Sequence, residues 1–243
     1  VIILFTVIYQ HPELRQPITA IFDTRPAKRV LFIGNSHTFY HDMPRMVGEI
    51  ADSAQSPVRF ATQQHAIGGA RFRDHWNNQD VQLLLKQPWD YVIFQGGSNE
   101  TTYAQSVGDF HAFGRKLIKA AKATGAHVAL YVTWPYRDDY EDMRRYPVLK
   151  ETMAIDIQKN YRQLAADTGA TLVNIGERWQ MLRRYEPGMP LYEDGNHATV
   201  QGSYLVALMF YGHLSQASLS GVRYIPQGVT PIQAAILIRY ANR

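Results

Sequence analysis

The chain contains no cysteine, so it has neither a disulfide framework nor a thiolate nucleophile, and the redox compartment stays open. Long apolar runs are missing as well. The N-terminal run Val1-Ile2-Ile3-Leu4-Phe5-Thr6-Val7-Ile8-Tyr9 falls well short of the roughly 20 residues that a membrane-spanning helix needs. No internal repeat, low-complexity tract or aromatic-interleaved basic stripe is present, which argues against a solenoid and against a nucleic-acid partner. His37, His41 and Asp42 lie close together but on no regular His-x-x-x-His or His-Glu-x-x-His helix, so neither a metal nor any other cofactor is expected. Charge of one sign is not concentrated either. The net charge is +4, and the Arg144-Arg145 and Arg183-Arg184 pairs read as solvated faces. What remains is a chain of 243 residues with 46% hydrophobic and 19% charged residues, ordinary for a single globular domain with a substantial core.

From Arg29 onward, short β-branched or aromatic runs alternate with longer helical patterns. Strands are expected at Val30–Ile33, Val58–Thr62, Tyr91–Phe94, Val128–Val132 and Thr171–Val173. Between and after them, helices are expected from Pro44 to about Ser53, and on the spacing Phe110, Phe113, Leu117, Ala121. Further helices follow on Met153, Ile157, Tyr161, Leu164, after His197, and from Pro231. This alternation predicts an α/β fold, a three-layer α/β/α sandwich around a parallel sheet of about five strands. Residues 29–243 form that domain in this reading. Residues 1–28, with Pro12, Pro17 and Pro26, form an apolar N-terminal segment and linker. The apolar run reads either as the remnant of a signal peptide or membrane anchor, giving a lean toward an exported or membrane-associated protein, or as an element packed on the domain.

Two segments carry recognisable chemistry. The run Val30-Leu31-Phe32-Ile33 ends in Gly34-Asn35-Ser36-His37-Thr38, a strand delivering a serine onto a tight turn. Near the other end, Asp194-Gly195-Asn196-His197 sets an acid and an imidazole three residues apart. A serine hydroxyl becomes a nucleophile only with a base in hydrogen-bond reach and a third group orienting that base. Ser36, His197 and Asp194 supply all three parts. The turn lacks the final glycine of Gly-x-Ser-x-Gly, Thr38 standing there, and no His-Gly-Gly-Gly segment precedes it, which argues against the larger α/β-hydrolase fold. Ser36, Gly69 and Asn99 each follow an expected strand, so they converge on the carboxyl edge of the sheet, where ligands bind in such folds.

Four blocks in this order resemble the SGNH (GDSL-like) hydrolase superfamily, in the branch whose first block reads Gly-Asn-Ser. They are Gly34-Asn35-Ser36, Ile67-Gly68-Gly69-Ala70, Gly97-Ser98-Asn99-Glu100 and Asp194 to His197. Asn35 and Glu100 both stand where the more widespread pattern has aspartate. The resemblance implies a flavodoxin-like sheet and a serine esterase. It assigns the oxyanion hole to the N–H groups of Ser36 and Gly69 and the side-chain amide of Asn99. The third block can be slid so that Gln95 becomes the amide donor, and His37 can line the pocket beside Ser36. The expected substrate is a small-molecule or glycan ester, with an acetyl ester on a carbohydrate preferred. An O-acyltransferase and a non-catalytic glycan-binding domain are the alternatives. Trp76, Trp134 and Tyr136 are candidates for stacking on a sugar ring, with core packing as the competing role.

Overall fold

The computed structural model describes residues 23–242. Five parallel strands, β1 (Ala27–Gly34), β2 (Arg59–Ala66), β3 (Tyr91–Phe94), β4 (His127–Val132) and β5 (Thr171–Asn174), form one sheet in the order β2-β1-β3-β4-β5. This is the flavodoxin-like order, with β1 internal and a change of winding direction between β1 and β3. All five expected strands are present. Each differs from its expected span by a few residues at most, because hydrogen bonding continues past the last apolar side chain.

Successive strand residues point to opposite faces, and this sheet buries both. Val30, Phe32, Ile93, Ala129, Tyr131 and Val173 feed one core. Their neighbours Leu31, Ile33, Val92, Phe94, Val128 and Leu130 feed the other. On the first face lie helices at Met43–Ser53, Ile175–Tyr185, Val200–Ser215 and Pro231–Ala241. On the second lie Phe72–Trp76, Gln79–Leu84, Ala104–Lys122, Glu141–Arg145 and Leu149–Thr168. With the single-turn helix Ser36–Phe39, chain order makes these α1 (36–39), α2 (43–53), α3 (72–76), α4 (79–84), α5 (104–122), α6 (141–145), α7 (149–168), α8 (175–185), α9 (200–215) and α10 (231–241).

The ends of these helices follow from local chemistry. Thr230 caps α10 in a reciprocal box with Gln233, with Pro231 opening the helix. Gly169 closes α7 in the left-handed region at φ 65°. Sequence periodicity missed α8, although Ile175, Trp179 and Leu182 are its buried stripe, and it missed the short α3, α4 and α6. Strand β1 begins at Ala27, inside the stretch read as linker. Just before it, Arg25 is tied to Asp23, Asp52 and the Ser56 carbonyl. The anchor reading of Val1–Tyr9 lies outside the described residues. Among the described residues no helix is long and apolar enough to cross a membrane.

Candidate active site

Ser36 sits at the first position of α1, where β1 gives way to a turn. The turn is dictated by close approach. A Cβ on Gly34 would lie 2.3 Å from the Thr38 hydroxyl and 2.5 Å from Gln95 Oε1, so only glycine fits at the end of the strand. Asn35 then caps the helix. Its side-chain oxygen accepts from the His37 N–H at 3.1 Å, and its amide donates to the Ala70 carbonyl at 3.2 Å. Asn35 thereby ties the first expected block to the second through neutral hydrogen bonds.

Gln95 lies buried just past β3 beneath this turn. Its Oε1 accepts from the Asn35 N–H at 2.8 Å and from the Thr38 hydroxyl at 3.1 Å, while its Nε2 donates to the Gly96 carbonyl. Both ends of its amide are therefore engaged in holding the turn. Asn99 is half-buried in the loop after β3, and its carbonyl accepts from the Thr102 N–H and hydroxyl. Among the described residues, its side-chain amide makes no hydrogen bond to protein. The same holds for the N–H groups of Ser36 and Gly69. Gly69 adopts φ 71°, a left-handed conformation suited to glycine, and neither Gly68 nor Gly69 has an atom within 4 Å of where a Cβ would sit.

The acid and base arrive on the turn between β5–α8 and α9. Asp194 Oδ1 accepts from the N–H groups of Asn196 (2.9 Å) and His197 (2.8 Å), an Asx-type closure of the turn. Asp194 Oδ2 lies 2.7 Å from His197 Nδ1, and His197 Nε2 lies 2.9 Å from Ser36 Oγ. The structure thus brings Ser36, His197 and Asp194 into one hydrogen-bonded line. Burial opposes ionisation of Asp194, but the bonds from the His197 ring and the two backbone N–H groups outweigh it and hold its pKa down at about 2. The carboxylate is charged at any ordinary working pH.

His37 does not face the open side. It is buried, its Nε2 lies 2.8 Å from Asn196 Oδ1, and its ring stacks on Trp134 at 4.6 Å, which in turn stacks on Trp179 at 3.8 Å. Trp134 Nε1 donates to the Asn196 carbonyl at 2.9 Å, and the Tyr131 hydroxyl donates to the His37 carbonyl at 3.1 Å. Burial pushes the His37 pKa down to about 4 against the opposing bond to Asn196, so the ring is neutral at pH 7. It works as a strut between the serine turn and the Asp194–His197 turn. Sequence reasoning placed His37 beside Ser36 but offered no signal for its partner Asn196.

The sugar-stacking role fails for two of its three aromatics. Trp134 is fully buried in its stack, and Tyr136 is buried with its hydroxyl 2.9 Å from Ser98 Oγ, so neither offers a ring face to solvent. Trp76 is half-buried beneath the Lys116 ammonium on the α5 side. Glu100, which replaces aspartate in the third block, has no exposed surface. Its Oε2 accepts from the N–H groups of Gly97 (2.8 Å) and Phe72 (3.3 Å), while its Oε1 is buried without a partner. Desolvation raises its pKa to about 7 in spite of those bonds and of Arg71 nearby. Among the described residues no group of three or more metal-ligating side chains comes together.

A doubly covered parallel sheet with a serine, an imidazole and a carboxylate in line at its carboxyl edge defines a class of α/β/α hydrolases. Residues 32–205 match the GDSL-like lipase/acylhydrolase family, and the chain belongs to it. A candidate SGNH hydrolase from Slackia heliotrinireducens is 31% identical, with a TM-score of 0.63, covering 79% of this chain and 100% of that one. A DUF4886 family protein from Bacteroides uniformis shares 18% identity at a TM-score of 0.76, over 89% and 93% of the two chains. A mutant form of an acetyl-xylooligosaccharide esterase from Geobacillus shares 18% identity at a TM-score of 0.59, over 83% and 99%. No curated protein matches.

Proposed function

We propose that the protein is a serine esterase acting through an acyl-serine intermediate, with an acetyl ester on a carbohydrate as its substrate. The observation that carries the reading is the continuous chain from Ser36 Oγ through His197 to Asp194, at 2.9 and 2.7 Å. In this mechanism His197 Nε2 takes the Ser36 proton as Oγ attacks the ester carbonyl. Asp194 holds the proton on Nδ1, so that Nε2 faces the serine as an acceptor, and it stabilises the imidazolium that forms. The oxyanion is held by the N–H groups of Ser36 and Gly69 and the Asn99 amide, three donors that no protein group engages among the described residues. His197 then returns the proton to the leaving alcohol, and water repeats the sequence on the acyl-enzyme.

Gln95 supports the nucleophile turn in this reading, since both ends of its amide are already bonded. The acetyl-carbohydrate preference draws on two structural relatives named as acetyl xylan and acetyl-xylooligosaccharide esterases. At 17% and 18% identity they share the fold, so the substrate rests on experiment. The test is a series of p-nitrophenyl esters of increasing chain length alongside acetylated xylooligosaccharides. Fastest turnover of the acetyl esters supports the reading. A preference for long acyl chains removes the acetyl assignment, and no turnover of any ester removes the esterase.

A further inference from the structure

The His197 imidazole has a neighbour that the proposed mechanism leaves unused. The Tyr40 ring lies parallel to it, with centroids 4.4 Å apart and an interplanar angle of 5°. Phe39 also packs on Tyr40, with centroids 5.7 Å apart and an interplanar angle of 27°. We propose that Tyr40 is a positioning residue for the acid–base step: its ring is a fixed aromatic shelf that holds the His197 imidazole in line with Asp194 and Ser36 and stabilises the imidazolium formed during acyl transfer. The proposal rests on the esterase reading above.

Two independent features support it. The first is electrostatic. An aromatic face carries negative charge density and attracts a cation lying over it, whereas the neutral imidazole gains little. A shelf therefore favours the charged ring that appears in the transition state over the neutral ring of the resting enzyme, which is the differential binding that catalysis requires. The Tyr40 hydroxyl is itself raised by burial and by the Asp194 and Glu193 carboxylates, so the phenol stays neutral.

The second feature is backbone geometry. Immediately after Tyr40, His41 (φ 52°) and Asp42 (φ 51°) both occupy the left-handed region that non-glycine residues seldom adopt. Such conformations persist only where surrounding contacts over-determine them, and they cluster at functional sites. Here the contacts run to the segment that carries the base. His41 Nε2 lies 3.1 Å from the Ala198 carbonyl, and the Ser203 hydroxyl donates to the Tyr40 carbonyl at 3.3 Å. On the other side the Tyr40 N–H donates to the Ser36 carbonyl. The shelf is thus fastened both to the nucleophile turn and to the segment following His197.

Other groups also face the imidazole. Asp194 binds its Nδ1, Ser36 its Nε2, and His37 meets it edge-on at 6.0 Å. His37 is neutral at working pH because burial lowers its pKa to about 4. Glu193, 3.6 Å from His41, acts on Tyr40, and Arg137 acts on Asp194. Substituting Tyr40 removes none of these groups, so a change in His197 titration that Tyr40→Leu causes and Tyr40→Phe does not reports the aromatic shelf.

The experiment has two arms. In the first, the His197 ring is titrated by nuclear magnetic resonance in Ser36→Ala protein with Tyr40, Tyr40→Phe or Tyr40→Leu, which needs no turnover. Tyr40→Leu is expected to move the titration to lower pH by about 0.5–1 unit, and Tyr40→Phe to leave it in place. In the second arm, with Ser36 present and p-nitrophenyl acetate as substrate, Tyr40→Leu should lower kcat about 10-fold. KM should stay within about 2-fold, the acid limb should follow the same shift, and Tyr40→Phe should restore all three. An unchanged His197 titration in folded Tyr40→Leu protein overturns the proposal. If Tyr40→Leu does not fold, Tyr40→Trp takes its place: a stronger aromatic face must move the titration to higher pH, and no movement overturns the proposal. Because the first arm reads protonation alone, it stands even if the wild-type protein hydrolyses no ester.

Discussion

At the residue scale, the serine and its partners were legible because the chemistry leaves few choices. A strand ending in Gly-x-Ser and an acid three residues before a histidine can be found by eye, and Ser36, Asp194 and His197 do lie in one line. Ser36→Ala is expected to lower ester turnover by at least about 10⁴-fold while leaving the circular dichroism spectrum unchanged. Retained turnover would mean another nucleophile. Asn99→Ala should lose about 100- to 1000-fold in kcat, the usual cost of one oxyanion donor, with little change in KM. Gln95→Ala should show a different signature. It leaves the buried Asn35 N–H and the Thr38 hydroxyl unpaired, so it should cost about 1–3 kcal/mol in urea denaturation. If Gln95→Ala instead keeps full stability and loses turnover as Asn99→Ala was expected to, the two roles are reversed. The His37–Asn196 strut and the Tyr40 shelf were not legible. Each depends on a partner some 160 residues away, and neither residue type announces such a partner locally.

At the scale of elements, the long periodic segments were readable, while helices of one or two turns were not. Segments as short as α3 and α6 carry too few residues to show a period, and tertiary packing stabilises them instead. Helix α8 was missed for another reason. It follows β5 with no intervening loop, so no turn residue marks its start. The loop between β3 and α5 hides its main determinant in the same way, because sequence presents Glu100 as a charged loop residue while the fold buries it completely. Its raised pKa has a definite consequence for stability. Between the ordinary value of 4.5 and the folded value of about 7, the folded protein binds the proton that the unfolded chain has released. This stabilising contribution is complete below about pH 4.5 and is lost as pH rises through about 7. Glu100→Gln, which is neutral throughout, should therefore gain stability over the native protein on going from pH 5 to pH 8, by an amount of order 3 kcal/mol. Parallel urea curves for the two proteins across that range, with the difference independent of pH, would refute the burial argument.

At the scale of the whole molecule, the two cores share the same strands, each contributing alternate residues to opposite faces. Neither layer can lose the sheet without the other, so unfolding should be a single transition. The tryptophans allow a check, since Trp134 and Trp179 lie in one core and Trp89 in the other. Fluorescence of variants retaining only one set should give the same urea midpoint, after correction for the substitutions, as far-UV circular dichroism. Distinct midpoints would show that the layers melt separately. Strand periodicity reveals that a sheet is parallel and buried but not which strands are neighbours; the order came from the family resemblance, whose flavodoxin-like sheet is the one found.

The bond between Ser36 and His197 joins positions 161 residues apart. At the usual pace of about 5–20 residues per second, the ribosome adds His197 roughly 10–30 s after Ser36. Throughout that interval the serine hydroxyl is an ordinary alcohol on a half-made protein. The covering helices α9 and α10 follow the base closely. In the proposed mechanism the hydroxyl gains its base only as this layer closes, so a chain that stalls earlier carries Ser36 as an unactivated alcohol.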